Sequence, residues 1–323
     1  MTASITRRLL LGAAMALGLA GAARAEFPDR QITLVIPFAA GGSTDVVGRI
    51  VADKMGAALG QQVIVQNVGG AGGSLGAAQV AKADPDGYTI LMATVATHAL
   101  NPLILKQKPY DPVADFAPIS LLVLVPNVLA VNPELPVNSV QELIDLAKKE
   151  PGTLAYASSG NGTPLHLSGE LFKSMAGVDI THIPYKGSGP ALTDVLGNQV
   201  PIIFDNLPSA SGHIASGKLR ALGVTTAERA PSFPDVPAIA ETLPGYETYT
   251  WNALFAPAGT PPEVVAALNK AALTAMADPA VAERMKEFSA SIVASTPEAL
   301  AEHVKAEMAK WEPVVRDANV SLD

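Results

Sequence analysis

The 323-residue chain contains no cysteine. That excludes disulfides and thiolate metal sites, and with them a lipid anchor, whose attachment needs a Cys behind the leader. Long apolar runs are also missing beyond the N-terminus, and Leu9–Ala22 is itself too short for a bilayer, at ~1.5 Å per helical residue against ~30 Å of hydrocarbon. Basic residues are few, 22 Lys+Arg against 30 Asp+Glu, for a net charge of −8. Nucleic acid and anionic membrane surfaces are therefore disfavoured partners, and an anionic ligand would have to be held by local donors against the overall field. None of the five histidines forms H-x-x-x-H or H-E-x-x-H with another, so neither a metal nor a cofactor is expected.

The N-terminus reads as an export leader over residues 1–25. Arg7-Arg8 precede the apolar stretch and Ala23-Arg24-Ala25 forms an A-x-A cleavage site, placing the mature start at Glu26. "TRRLLL" fits a twin-arginine signal as well as an ordinary secretory one. The leader carries three arginines and no acid, so its removal takes the net charge to −11. The expected product is exported and monomeric, periplasmic where the host has two membranes. With 49% apolar and 16% charged residues it should be globular, and its length calls for two domains.

The pattern of elements is α/β. "QITLVIPF" reads as a buried strand, Ser43–Leu59 as a helix with Val46, Val47, Ile50, Val51 and Met55 along one face, and "QQVIVQN" and "DGYTILMAT" as further strands. Strand, helix, strand, helix, strand is a doubly wound parallel unit. A second such unit fills about residues 130–245. Leu121–Pro133 is long enough to cross between the two. Ser139 with Glu142 reads as a capping box, and Thr260-Pro261 and Thr296-Pro297 as helix starts. The C-terminal helices lack a sheet of their own and should return to the first domain. The expected division is 26–124 plus 250–323 as the first domain and 125–249 as the second.

Three strand-to-helix turns are rich in glycine: Ala39–Asp45, Gly69–Ser74 and Ser158–Thr163. Glycine either permits a tight turn or lets backbone approach a guest, and the free N–H groups of a helix start favour an anion. Phosphate fails on spacing, since neither G-x-x-x-x-G-K-[ST] nor a strand-following G-x-G-x-x-G occurs. A carboxylate needs only two N–H groups and a hydroxyl from Ser43, Ser158 or Thr163. Asp45, in the first turn of its helix, either orients the loop or touches the ligand, and His166 either donates to the ligand or packs. "GGSLG" around Ser74 matches a nucleophile elbow, with Asp205 and His213 following in hydrolase order, but Val68–Gly73 separates Ser74 from the strand. No catalytic residue is assigned, and a serine hydrolase using Ser74 stays as the alternative.

The segments "VIPFAAGGSTDVVGR", "VIVQNVGGAGGSLGAAQVAKADPDGYTIL", "YDPVADFAPIS", "YASSGNGTPLHLSGELF", "HIPYKGSGPALTDVLGNQV", "RAPSFPDVPAIAE" and "APAGTPPEVVAALN" together resemble the substrate-binding proteins of tripartite tricarboxylate transporters, the Bug (Bordetella uptake gene) family. The likeness covers about residues 27–320, with small departures at Val68 and Ala238. It implies a periplasmic two-lobed "Venus flytrap" of two doubly wound α/β domains, no catalysis, and a small carboxylate held mainly by backbone N–H groups and hydroxyls. It further implies delivery to membrane permease subunits, with service to a signalling sensor as the other possibility. The expected ligand-binding residues are Phe38, Ala40, Gly41, Gly42, Ser43, Asp45, Thr94 and His98 on one side and Ser158, Gly160, Thr163, His166, Tyr185 and Asp205 on the other. Thr97 and Trp251 are further candidates for the far end of the guest.

Overall fold

The computed structural model describes residues 27–317, so the leader and Glu26 lie outside the described residues. In chain order the first elements are β1 (Ile32–Ile36), α1 (Ser43–Leu59), β2 (Val63–Asn67), α2 (Ser74–Ala81) and β3 (Thr89–Thr94). A π-turn (Ala96–Leu100) and the short α3 (Asn101–Ile104) follow. Then come β4 (Phe116–Val131), α4 (Val140–Lys149), β5 (Ala155–Ser158), α5 (Pro164–Ala176), β6 (Thr181–Pro184), α6 (Ser188–Leu196), β7 (Ile202–Asn206), α7 (Leu207–Ala215) and β8 (Arg220–Val224). The chain ends with β9 (Tyr249–Pro257), α8 (Pro262–Met276), α9 (Pro279–Glu287), β10 (Ser291–Ile292) and α10 (Pro297–Asp317).

The first lobe is built on the strand order β2-β1-β3-β9-β4. β1 runs parallel to β2 and β3, and β9 runs antiparallel to β3 and β4. β1 is apolar almost throughout because helices cover both its faces. On one face Ile36, Met92 and Leu254 pack with Val47, Val51 and Met55 of α1 and Leu268 of α8. On the other, Val35, Leu91 and Ala253 meet Ala77 of α2 and Leu300, Val304 and Trp311 of α10. The C-terminal helices thus pack on both faces of this sheet. Gly48 lets α1 lie close to the sheet, since a Cβ there would stand 2.6 Å from Ile36 Cδ1. α1 stops at Gly60, whose φ of +69° closes the helix in the left-handed region.

β4 carries the chain from one lobe to the other. Phe116–Pro126 pairs with β9, and from Asn127 the same strand pairs with β7 and β8. β5 continues the second sheet, parallel to β6 and β7. Tyr249, where the chain re-enters the first lobe, stands opposite Pro126. The two crossings are tied to the second lobe by buried polar contacts. Asn206 Nδ2 donates to Asn127 Oδ1, Thr248 N–H donates to Thr225 O, and the Ser168 and Thr248 hydroxyls lie 2.6 Å apart.

Helix starts differ from the sequence reading in two places. Ser139 Oγ accepts from Glu142 N–H at 3.1 Å, but the Glu142 carboxylate turns to Asn138 N–H at 2.7 Å, so the box is displaced by one residue. Thr260 does not cap α8. Its hydroxyl donates to Pro257 O, Pro261 occupies the cap position and the helix begins at Pro262. Thr296 does cap α10, accepting from Ala299 N–H at 3.2 Å.

Candidate ligand-binding site

The loop after β1 is held by Asp45. Its carboxylate accepts from Gly41 N–H at 3.0 Å, from Asn67 Nδ2 at 2.9 Å and from Arg49 at 3.0 Å, while Asn67 also donates to Phe38 O. Burial pushes the Asp45 carboxyl up, but the hydrogen bonds from Arg49, Gly41 and Asn67 outweigh it and leave the group below its ordinary range. Of the two roles open to Asp45, the structure displays the orienting one. It fixes the backbone so that the N-terminus of α1 opens toward the second lobe.

The loop after β5 is braced in the same manner. Thr163 caps α5, accepting from His166 N–H, and donates to Gly160 O at 2.7 Å. Ser158 Oγ accepts from Gly160 N–H and lies 2.6 Å from His182 Nε2. His166 Nδ1 accepts from Gly162 N–H, and its ring stacks on His182 at 4.1 Å. Burial lowers both imidazoles, His182 to about 3, with repulsion from His166 and Lys173 adding to the second. Tyr185 donates its hydroxyl to Asp194 at 2.7 Å. Asp205 is fully buried and pushed up to about 6 by that burial, against the opposing hydrogen bonds from Ser188 and Ser209.

Between the lobes lies a narrow cavity. Phe38, Gly42, Ser43, Thr44, Thr94 and Thr250 line it from the first lobe, and Ser159, Thr163, Pro164, Leu165, Ser188 and Asn206 from the second. None of these side chains is charged. The N-termini of α1, α5, α6 and α7 all reach the cavity, at Gly42–Thr44, Thr163–Leu165, Ser188 and Asn206. Each brings the positive end of a helix dipole. The first helical bond of α1 runs from Val46 N–H to Gly42 O, so the N–H groups of Ser43 and Thr44 have no acceptor within the helix. Ser43 Oγ and Thr94 Oγ1 are buried without a hydrogen-bond partner. The site can bind an anion without a cation.

Of the residues singled out from sequence, Phe38, Gly42, Ser43, Thr94 and Thr163 line the cavity. Asp45, Ser158, Gly160, His166, Tyr185 and Asp205 are not among the lining residues, and Asp45, Ser158, His166, Tyr185 and Asp205 make the side-chain contacts given above. Trp251 packs on the opposite face of β9, its Nε1 donating to Glu307. His98 is fully buried and stacked on Phe255 at 4.1 Å, where burial lowers it to about 3. Pro164, Leu165 and Thr250 are not among the expected residues, Thr44 and Ser159 lie inside two of the glycine-rich turns, and Ser188 and Asn206 belong to the Tyr185–Gly189 segment and the Asp205-Asn206 pair that the family resemblance implies for the second-lobe wall. The polar breaks in β9, at Thr250 and Asn252, were the readable signal.

Ala40 and Gly41 belong to a seam where the lobes touch. Ala39 N–H donates to Lys186 O across it at 3.1 Å. A Cβ added at Gly189 would fall 2.0 Å from Ala40 O, and one at Gly72 would fall 2.4 Å from Asn161 O. Here glycine is required by the approach of the other lobe's backbone.

The hydrolase constellation is not assembled. Ser74 Oγ accepts from Asn101 Nδ2 at 2.8 Å, and the Asp205 carboxylate is engaged by Ser188 and Ser209. Among the described residues no group of three or more His, Asp or Glu could hold a metal ion.

The family model described as tripartite tricarboxylate transporter family receptor matches residues 47–320. The chain belongs to this family. It is similar to the protein BugT of Bordetella pertussis, 39% identical over 94% of this chain and 94% of that one. Among solved structures it is similar to Rpa4515 of R. palustris with adipate, at 41% identity and a TM-score of 0.88 over 92% of this chain and 99% of that one. It is also similar to MatC of Rhodopseudomonas palustris with bound malate, at 35% identity and a TM-score of 0.85 over 90% and 100%. Membership in this receptor family accounts for a bilobed α/β fold without a catalytic constellation.

Proposed function

We propose that this receptor captures a small carboxylate between its lobes in the periplasm and presents the closed form to the permease subunits of a tripartite tricarboxylate-type transporter. The observation that carries the reading is a buried, uncharged cavity onto which four helix N-termini converge. The carboxylate sits against the Ser43 and Thr44 N–H groups and the Ser43 hydroxyl, and the α5 loop approaches from the second lobe. Residues 26–124 with 250–323 and residues 125–249 move as two bodies about the paired crossings. Residues 1–25 serve as the export leader, and the mature chain acts as a monomer. The adipate and malate held by two relatives support a carboxylate as the class of ligand.

Hydrogen bonds to a charged group contribute about 1.5–3 kcal/mol each. Four or five, less the costs of closure and ordering, reach the roughly −8 kcal/mol of micromolar binding. The test is thermal unfolding of mature protein with mono-, di- and tricarboxylic acids and their primary amides. At 100 times its Kd a true ligand stabilises by about 2.7 kcal/mol, a shift of at least ~2 °C. A shift with an acid and none with its amide supports the reading, and a shift with neutral compounds alone overturns it.

A further inference from the structure

Just beyond the apolar core of the first lobe, the sheet face beneath α1 turns polar. β9 places Leu254 in that core and then, on the same face, Asn252 and Thr250, and β3 places Met92 there and then Thr94. Thr94 stands directly opposite Asn252 in the β3–β9 register, and Val123 of β4 flanks Asn252 on its other side. Thr94 and Thr250 both line the cavity, and Ser43 faces it from α1. Asn252 is fully buried, and Ser43 and Thr94 are each 3% exposed. Four atoms in this patch have no hydrogen-bond partner: Ser43 Oγ, Thr94 Oγ1, and both Oδ1 and Nδ2 of Asn252. A buried carboxamide unmatched at both ends is costly, and its place beside two cavity-lining hydroxyls points to a ligand group as the missing partner.

The donor set narrows that group. Oδ1 of Asn252 only accepts and Nδ2 only donates. An ionised carboxylate brings no proton and leaves Oδ1 unmet, while an ammonium brings no lone pair and leaves Nδ2 unmet. A hydroxyl satisfies both. On the facing wall Ser188 donates its proton to Asp205 Oδ1 at 2.5 Å, so its oxygen also presents lone pairs to the cavity. We propose that Asn252, seconded by Thr94, is the specificity-determining floor of the cleft and selects carboxylates that carry a hydroxyl group. This rests on the carboxylate reading above, with the carboxylate at the helix N-termini and the hydroxyl at Asn252.

The test uses matched pairs at pH 7.5: malate and succinate, lactate and propionate, citrate and tricarballylate. Each is titrated calorimetrically into the mature wild type, Asn252→Leu and Thr94→Val. In at least one pair the hydroxy acid should bind wild type at least about tenfold more tightly than its deoxy partner, because the partner leaves buried polar atoms unmatched. Asn252→Leu should erase that gap, leave the deoxy acid's affinity within about threefold, and keep or raise the unliganded melting temperature, since two unmatched groups are gone. Equal binding of both members by wild type, as an ordered water at Asn252 would produce, overturns the proposal. So does a gap that persists in Asn252→Leu, or an equal loss for both members. If Asn252→Leu does not fold, Thr94→Val decides in its place: a reduced gap supports the proposal and an unchanged gap overturns it. Failure of every acid to bind strikes the carboxylate reading itself, and this inference with it.

Discussion

Gly189→Ala should separate folding from closure. Gly189 is the second residue of α6 and has no positive φ, so alanine suits its backbone and gains helix propensity of up to about 1 kcal/mol. The added methyl carbon would meet nothing unfavourable within the second lobe, but in the closed form it would stand 2.0 Å from Ala40 O and 3.2 Å from Ala40 C. The seam must part by more than 1 Å to restore an ordinary contact of roughly 3.4 Å, close to the minimum for well-packed carbon and oxygen. That motion breaks the Ala39–Lys186 hydrogen bond, worth about 0.5–1.5 kcal/mol, and admits water to the cavity, weakening every bond to the ligand. A combined loss of about 2 kcal/mol corresponds to roughly 30-fold in Kd. The assay pairs calorimetric affinity for whichever acid stabilises the wild type with the unliganded melting temperature. The expected result is an unliganded midpoint equal to or above wild type with affinity reduced at least tenfold. Wild-type affinity in Gly189→Ala would refute the reasoning, because the bound form could not then contain this seam.

Ser43→Ala should lower ligand affinity about tenfold with little change in unliganded stability, since Ser43 Oγ has no partner to lose, and a stability loss above about 1 kcal/mol would show a structural hydroxyl instead. Asp45→Ala frees the Gly41 N–H and Asn67 Nδ2, so denaturant unfolding at pH 7 should register a loss of about 2–3 kcal/mol together with weakened binding. Because the Asp45 carboxyl lies below its ordinary value, its stabilising contribution is present above the unfolded pKa near 4 and is lost as pH falls through the folded one, so wild type and variant should converge in acid. His98 and His182 are held down to about 3, so the unfolded chain takes up protons there between pH 6.5 and 3 and stability should fall as pH drops from 7 to 5. Asp205 has the opposite sign. With its pKa raised to about 6, the folded state holds the extra proton between pH 4 and 6, and ionisation costs up to about 3 kcal/mol above that window. Asp205→Asn, which keeps a partner for both Ser188 and Ser209, should therefore gain stability at pH 7.5 and steepen the loss toward pH 5. Unchanged stability in both arms of that titration would mean that the Asp205 carboxyl is solvated.

The loops were legible because each needs a local signature. An apolar run, a pair of glycines and a helix with an apolar stripe fix where a helix N-terminus opens, and Ser43–Leu59 forms over the residues its pattern marks. The glycines were harder to interpret. Their abundance suggested close approach to a guest, yet Gly72 and Gly189 clear the backbone of the other lobe, a requirement that appears only when residues over 80 positions apart meet. His98 shows a similar limit. It follows β3 in a segment that could have faced the cleft, but the π-turn swings it among Phe116, Tyr110 and Phe255. Asn252 was hidden for a third reason. The period-2 pattern of β9 marks it as facing the same way as Thr250, but only the register with Thr94, about 160 residues earlier, sets it beside a cavity-lining residue of another strand.

The most direct measurement is a crystal structure of the mature protein with the acid that gives the largest thermal shift. The account predicts a carboxylate within hydrogen-bonding distance of the Ser43 and Thr44 N–H groups, the lobes joined by the Ala39–Lys186 bond, and no Lys or Arg nitrogen on the ligand. A carboxylate paired to a basic side chain, or one bound outside the cleft, would contradict it.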